Sequence, residues 1–75
     1  MSDKPYYQKL LNKNAVFDSP PHYFRLVFSP SYNKREYVKV VEIHEGCMVL
    51  DFYRNEKKTS RLTIPYAQLF IEELD

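Results

Sequence analysis

The spacing of apolar residues changes at Pro20-Pro21. Before this pair, Tyr7, Leu10 and Leu11 recur at helical intervals. After it, Phe24, Leu26 and Phe28 alternate with Tyr23, Arg25 and Val27, the period of a strand. Paired prolines fit neither a helix interior nor a central strand, so Asp18-Ser19-Pro20-Pro21 reads as a connector. The chain has 75 residues, which makes a single domain spanning 1–75. At this size only about 60% of the unfolded surface is buried on folding, so the core has to be efficient or the chain has to associate.

The alternating part divides at its turn residues. His22 to Phe28 forms one expected strand, and Ser29-Pro30-Ser31-Tyr32-Asn33 is a turn cluster. Glu36 to His44 forms a second, rich in β-branched residues, with apolar positions on both faces as in a strand bent around a small barrel. Gly46 is the only glycine, and with Glu45 it makes a tight hairpin, because glycine takes positive φ without steric cost. Cys47 to Tyr53 forms a third strand, Arg54 to Thr59 a charged loop, and Ser60 to Ile64 a fourth strand. Pro65 to Gln68 reads as a 3-10 turn, and Leu69 to Leu74 as a fifth strand in preference to a helix. Residues 1–4 are expected to fray, with Ser2 or Asp3 capping a helix over residues 5–13 that carries Pro5 in its first turn. Asn12 and Asn14 suit its C-terminal end, since Asn tolerates left-handed angles. The expected fold is mainly β, a small five-stranded, partly open barrel over 22–74 with one short N-terminal helix.

This order of elements resembles the Sm-like domains, including the bacterial Sm-like RNA chaperone. Asp3-Lys4-Pro5-Tyr6-Tyr7-Gln8-Lys9-Leu10-Leu11 stands where that family has its helix. Ile64-Pro65-Tyr66-Ala67-Gln68-Leu69 stands at the turn between its last two strands, a stretch shared with SH3-like barrels. The resemblance implies an SH3-like or Sm-like architecture and possible nucleic-acid partners. It transfers no binding residue. The family's glycine is absent from Glu36-Tyr37-Val38-Lys39-Val40-Val41-Glu42. Its basic Tyr-Lys-His element is replaced by Ile64-Pro65-Tyr66-Ala67, and its uridine-binding Asp and Asn have no counterpart.

Catalytic and metal chemistry find little to work with. One glycine cannot supply a glycine-rich phosphate loop. His44 and Cys47 straddle the Gly46 turn, yet a zinc site takes four ligands, and His22 is the only other histidine while no second cysteine exists. A Cys–His nucleophile pair would further need an orienting group, an oxyanion hole and a pocket. Asp51, between Leu50 and Phe52, reads as an outward carboxylate or as the cross-strand partner of Arg61 or Arg25. No enzyme activity, no cofactor and no small-molecule substrate are therefore expected. A lone cysteine points to no oxidising compartment. The apolar runs are too short for a membrane span, and no apolar segment of a signal peptide follows Met1-Ser2-Asp3-Lys4, so a cytoplasmic location is expected.

What remains is a surface. Net charge is +1, low for a dedicated nucleic-acid binder, but the charge is uneven. Residues 25–61 hold eight Lys or Arg against five Asp or Glu, whereas residues 62–75 hold three acidic residues and no basic one. Tyr32, Lys34, Arg35 and Tyr37 gather at one loop. Tyr53, Arg54, Lys57, Lys58 and Arg61 gather at another. In a meander these two loops share one end of the sheet. Seven tyrosines are too many for so small a core to cover with every hydroxyl partnered, and Tyr and Arg are favoured at interface hot spots. The leading expectation is a non-enzymatic module that binds a protein, a regulatory subunit or small inhibitor, with itself as one candidate partner in a homo-oligomer. The alternative is an RNA- or DNA-binding barrel in which these tyrosines stack bases and the cations meet phosphates.

Overall fold

The computed structural model describes residues 4–74, and side chains from residue 6 onward. The expected capping by Ser2 or Asp3, and the expected fraying as far as residue 3, fall outside the described residues, whereas Lys4, also expected to fray, is already helical. The element order is α1 (Lys4–Gln8), β1 (Asn14–Asp18), β2 (Phe24–Phe28), β3 (Glu36–Ile43), β4 (Cys47–Arg54), β5 (Lys57–Pro65), a 3-10 turn (Tyr66–Gln68) and β6 (Leu69–Glu73). The protein is mainly β, as its alternation predicts. It has six strands rather than five, in one open mixed sheet ordered β5-β4-β3-β1-β2-β6.

The helix is shorter than residues 5–13. After Gln8 the chain continues in tight turns, with Leu10 N donating to Tyr7 O and Leu11 N to Gln8 O. Asn12 adopts φ 68°, as its left-handed tolerance predicts. The reason the helix stops is tertiary. Asn12 N donates to Val40 O, and Val40 N donates to Lys13 O, so β3 takes the groups that another helical turn would use. The chain then enters β1, a strand the sequence does not announce, and Asn14 is its first residue rather than a helix end. Only Ala15-Val16-Phe17 is apolar there, too short a run to show a period.

β3, β4 and β5 form an antiparallel meander. The β3–β4 register runs from Glu36↔Arg54 to Ile43↔Met48 and shifts between Val40 and Glu42, leaving Val41 unopposed. This bulge explains the two-faced apolar pattern, because it resets the alternation so that Val38, Val40 and Ile43 are all buried. The β4–β5 connection is shorter than the expected loop over Arg54–Thr59. Asn55 and Glu56 both have positive φ, 52° and 66°, and form a two-residue hairpin turn of the type that suits strand twist. Lys57 and Lys58 therefore belong to β5. Their polarity hides the strand because this part of β5 is an edge exposed on both faces.

β1 pairs antiparallel with β2 from Val16↔Val27 to Asp18↔Arg25. β6 pairs parallel with β2 from Phe24↔Leu69 to Phe28↔Glu73, so residues 69–73 form a strand. Extents of 38 × 27 × 26 Å are far thicker than a flat single sheet, and the sheet is curled around its own core. That core is built on Leu10, Leu26, Val38, Val40, Met48, Leu50 and Ile64, all 0–1% exposed. At one end Tyr7 stacks on Tyr66, ring centroids 3.8 Å apart. Tyr66 is fixed in turn by its N donating to Gly46 O and its hydroxyl donating to His44 O at 2.7 Å.

Candidate functional site

The opposite end of the β3–β4 hairpin carries the tyrosines and cations singled out above. The β2–β3 loop and the Asn55-Glu56 turn lie together there, joined by Asn55 N donating to Arg35 O at 2.9 Å. Short polar side chains shape the loop. Asn33 Oδ1 accepts from Arg35 N at 2.9 Å, and Ser29 Oγ accepts from Ser31 N at 3.2 Å. Glu36 and Arg54 are cross-strand neighbours, with an exposed ion pair at 3.6 Å.

Tyr37 and Tyr53 face each other across β3 and β4. Their rings stack at 5.2 Å and 8°. Tyr32 from the loop meets Tyr37 edge-on at 5.3 Å, and Asn14 Nδ2 donates to the Tyr32 hydroxyl at 2.9 Å. The result is a row of three half-buried tyrosines tied to β1 at one end. Partial burial raises the Tyr37 phenol above its usual range, reinforced by Tyr32, Tyr53 and Glu56 nearby.

Farther along the same outer face lies a charge network. Asp51 is only 4% exposed and stands in register with Lys39 on β3 and Arg61 on β5. Arg61 Nε donates to Asp51 Oδ1 at 2.7 Å and Nη2 to Oδ2 at 3.3 Å, a two-pronged contact. Lys58 Nζ lies 3.6 Å from Asp51 Oδ2. The Arg61 hydrogen bond holds the Asp51 carboxyl below its ordinary value, against the opposing effect of burial, and the charges of Arg61 and Lys58 add to it. Arg61 also reaches Glu42 at 3.6 Å, and Glu42 contacts His44 Nε2 at 2.9 Å. Of the two partners expected for Asp51, the structure selects Arg61; Arg25 instead pairs with Asp18 at 2.6 Å.

The nine residues singled out from sequence are thus not equivalent. Tyr32, Tyr37 and Tyr53 touch one another. Lys34, Arg35, Arg54 and Lys57 surround them at the hairpin ends. Lys58 and Arg61 sit lower on β5 and are engaged with Asp51. Beside the row lies a cleft of about 330 Å³ lined by Val16, Phe17, Tyr37, Val38 and Phe52, with Asn33 and Glu36 also contributing. Sequence reasoning missed this cleft because its far wall is β1.

His44 and Cys47 form the hairpin pair around Gly46, with His44 N donating to Cys47 O. Among the described residues no group of three His, Cys, Asp or Glu is placed to hold a metal ion, and no helix is long and apolar enough to cross a membrane. Comparison with protein-family models, curated proteins and solved structures finds no match to this chain.

Proposed function

We propose that this chain is a non-enzymatic protein-binding module of the small-barrel kind, SH3-like or Sm-like, acting in the cytoplasm as a regulatory subunit or small inhibitor. Its binding surface is the end that carries Tyr32, Tyr37 and Tyr53. The observation behind this reading is the tyrosine row beside an apolar cleft. Aromatic rings ordered by mutual stacking lose little side-chain freedom on binding, and they bring large apolar area with polar tips. The barrel assignment is supported by the curled sheet and by the turn at Tyr66–Gln68, which sends the chain back to β2. The unpaired Cys47 suits a reducing compartment.

The nucleic-acid reading shares this surface and is favoured by Lys34, Arg35 and Lys57 at its margin. Ion pairing weighs against it. Lys58 and Arg61 are committed to Asp51, and Arg54 to Glu36, so half of the six expected phosphate contacts are already neutralised within the protein. The tyrosines also turn ring faces toward each other, leaving fewer faces for bases.

Fluorescence anisotropy with labelled single-stranded RNA and duplex DNA, at 50 and 200 mM salt as about a fourfold span, separates the two readings. A protein module gives flat titrations, and a partner retained on the immobilised chain is lost with Tyr53→Ala. Micromolar, salt-sensitive oligonucleotide binding abolished by Arg35→Glu overturns the proposal. Light scattering shows whether the partner is a second copy, through a mass that is a multiple of 9.1 kDa.

A further inference from the structure

The sheet is only partly zipped between β1 and β3. Pairing runs through Asn14↔Lys39 and Ala15↔Val38 and stops there. β1 continues beside β2 through Val16, Phe17 and Asp18, and β3 extends the other way beside β4 through Tyr37 and Glu36. These two segments therefore flank a seam that no strand among the described residues fills, and the cleft of about 330 Å³ occupies it. Phe17 and Phe52 line it and meet edge-on at 5.0 Å. Behind them Phe24 stacks on Phe17 at 5.8 Å, and all three rings pack against the core while staying only partly buried.

Three properties narrow what this seam accepts. The first is size, since the cleft lies at the small end of ligand pockets, roughly 300–1,000 Å³, and suits one anchoring side chain. The second is backbone, because a sheet whose strands part company offers main-chain groups that an extended segment can pair with. The third is charge. Glu36 is answered by Arg54 and Asp18 by Arg25. Lys34 and Arg35, which directly follow the cleft residue Asn33, have no ion-pair partner among the described residues. Glu56, close enough to act on the cleft residue Tyr37, is also in none of these ion pairs, but Lys34, Arg35 and Lys57 outnumber it, so the unbalanced charge beside the seam is net positive.

We propose that the seam between β1 and β3 receives one large apolar side chain from an extended acidic segment of a partner protein, with that segment's carboxylates reaching Lys34 and Arg35. This rests on the protein-binding reading above and specifies the chemistry of the partner. The apolar anchor covers Phe17 and Phe52, and the flanking carboxylates supply the charge that the β2–β3 loop lacks.

A random peptide library displayed on phage and panned on the full chain provides the test. Enriched sequences should share a Phe, Trp, Leu or Ile flanked by Asp or Glu. The most enriched sequence, made as a fluorescent peptide, should bind at least tenfold more weakly to Val16→Arg, which places a long charged chain at the seam. It should also bind at least tenfold more weakly to the double variant Lys34→Glu with Arg35→Glu, which changes only exposed loop positions and so guards against a folding artefact. Circular dichroism melts verify both folds. Failure to enrich any peptide, enrichment of sequences without carboxylates or without an apolar anchor, or binding indifferent to both variants overturns the seam proposal. A peptide lost with Tyr53→Ala but unmoved by Val16→Arg overturns the seam and leaves the tyrosine surface standing. Oligonucleotide binding with no peptide enriched overturns both.

Discussion

A stacked tyrosine pair stands at each end of the β3–β4 hairpin, and the two pairs have different surroundings. Tyr7 of α1 stacks on Tyr66 with ring centroids 3.8 Å apart, Tyr66 being buried and its hydroxyl donating to the His44 carbonyl. Tyr37 and Tyr53 lie 5.2 Å apart on the open face, half-buried, with Tyr32 meeting Tyr37 at an angle. A covered ring with a partnered hydroxyl closes the core. A half-covered ring ordered by its neighbours costs little to bury further, and that is what a binding surface requires. The position of the tyrosine, more than its type, decides which role it takes.

Substitution at the two ends should separate these roles. Tyr66→Ala removes a buried ring and leaves a cavity, for an expected loss of about 3–5 kcal/mol in urea unfolding. Tyr53→Ala should lose less, about 1–2 kcal/mol, from the stacked pair and the burial of part of one ring. Equal losses would erase the distinction between a closed end and an open one.

Asp51 marks where the open end gives way to structure. Asp51→Asn leaves Arg61 and Lys58 facing a neutral group and should cost about 1–2 kcal/mol, at the low end for charged hydrogen bonds because half of Arg61 is in solvent. The folded carboxyl is held below the ordinary value of 3.8. Its contribution is therefore complete above that pH and disappears as pH falls through the lower folded value. Unfolding curves of the parent and Asp51→Asn should converge in acid, and a constant gap would remove Asp51 from the acid response.

Smaller effects belong to the hairpin tip. Glu56 holds φ 66° without being Gly or Asn, so Glu56→Gly should raise stability by about 1 kcal/mol and raise the melting temperature. A fall instead would assign Glu56 a contact that outweighs its backbone strain. Last, a double-mutant cycle on Glu36 and Arg54, both exposed, should return a coupling under about 0.5 kcal/mol. A larger value would make the open end more rigid than its exposure implies.

Residue patterns predicted the fold wherever one physical cue acted alone. Gly46 fixed a hairpin, the alternation of β2 fixed its buried face, and the meander placed the two cationic loops together, whereas β4 is buried on both faces at its centre, Val49 and Asp51 as well as Met48 and Leu50. The cues failed where long-range partners decided. Val40 ended the helix by capturing Asn12, and β1 became a strand because β2 and β3 flank it. Lys57 and Lys58 read as loop because an edge strand needs no apolar face. The tyrosine row was half legible. Its members were visible and their nearness followed from topology, but the cleft beside them needed the divergence of β1 from β3, which no local pattern encodes.

The parallel pairing of β6 with β2 carries a kinetic signature. Phe24 and Leu69 are 45 positions apart in the chain, whereas β3, β4 and β5 meet through short turns. Closing the longer loop loses more chain entropy before any contact rewards it. The meander therefore assembles first and β6 docks late, as a latch on an otherwise formed sheet. Ile71→Val should accordingly speed unfolding while leaving the refolding rate nearly unchanged in stopped-flow measurements, placing the last strand outside the folding nucleus.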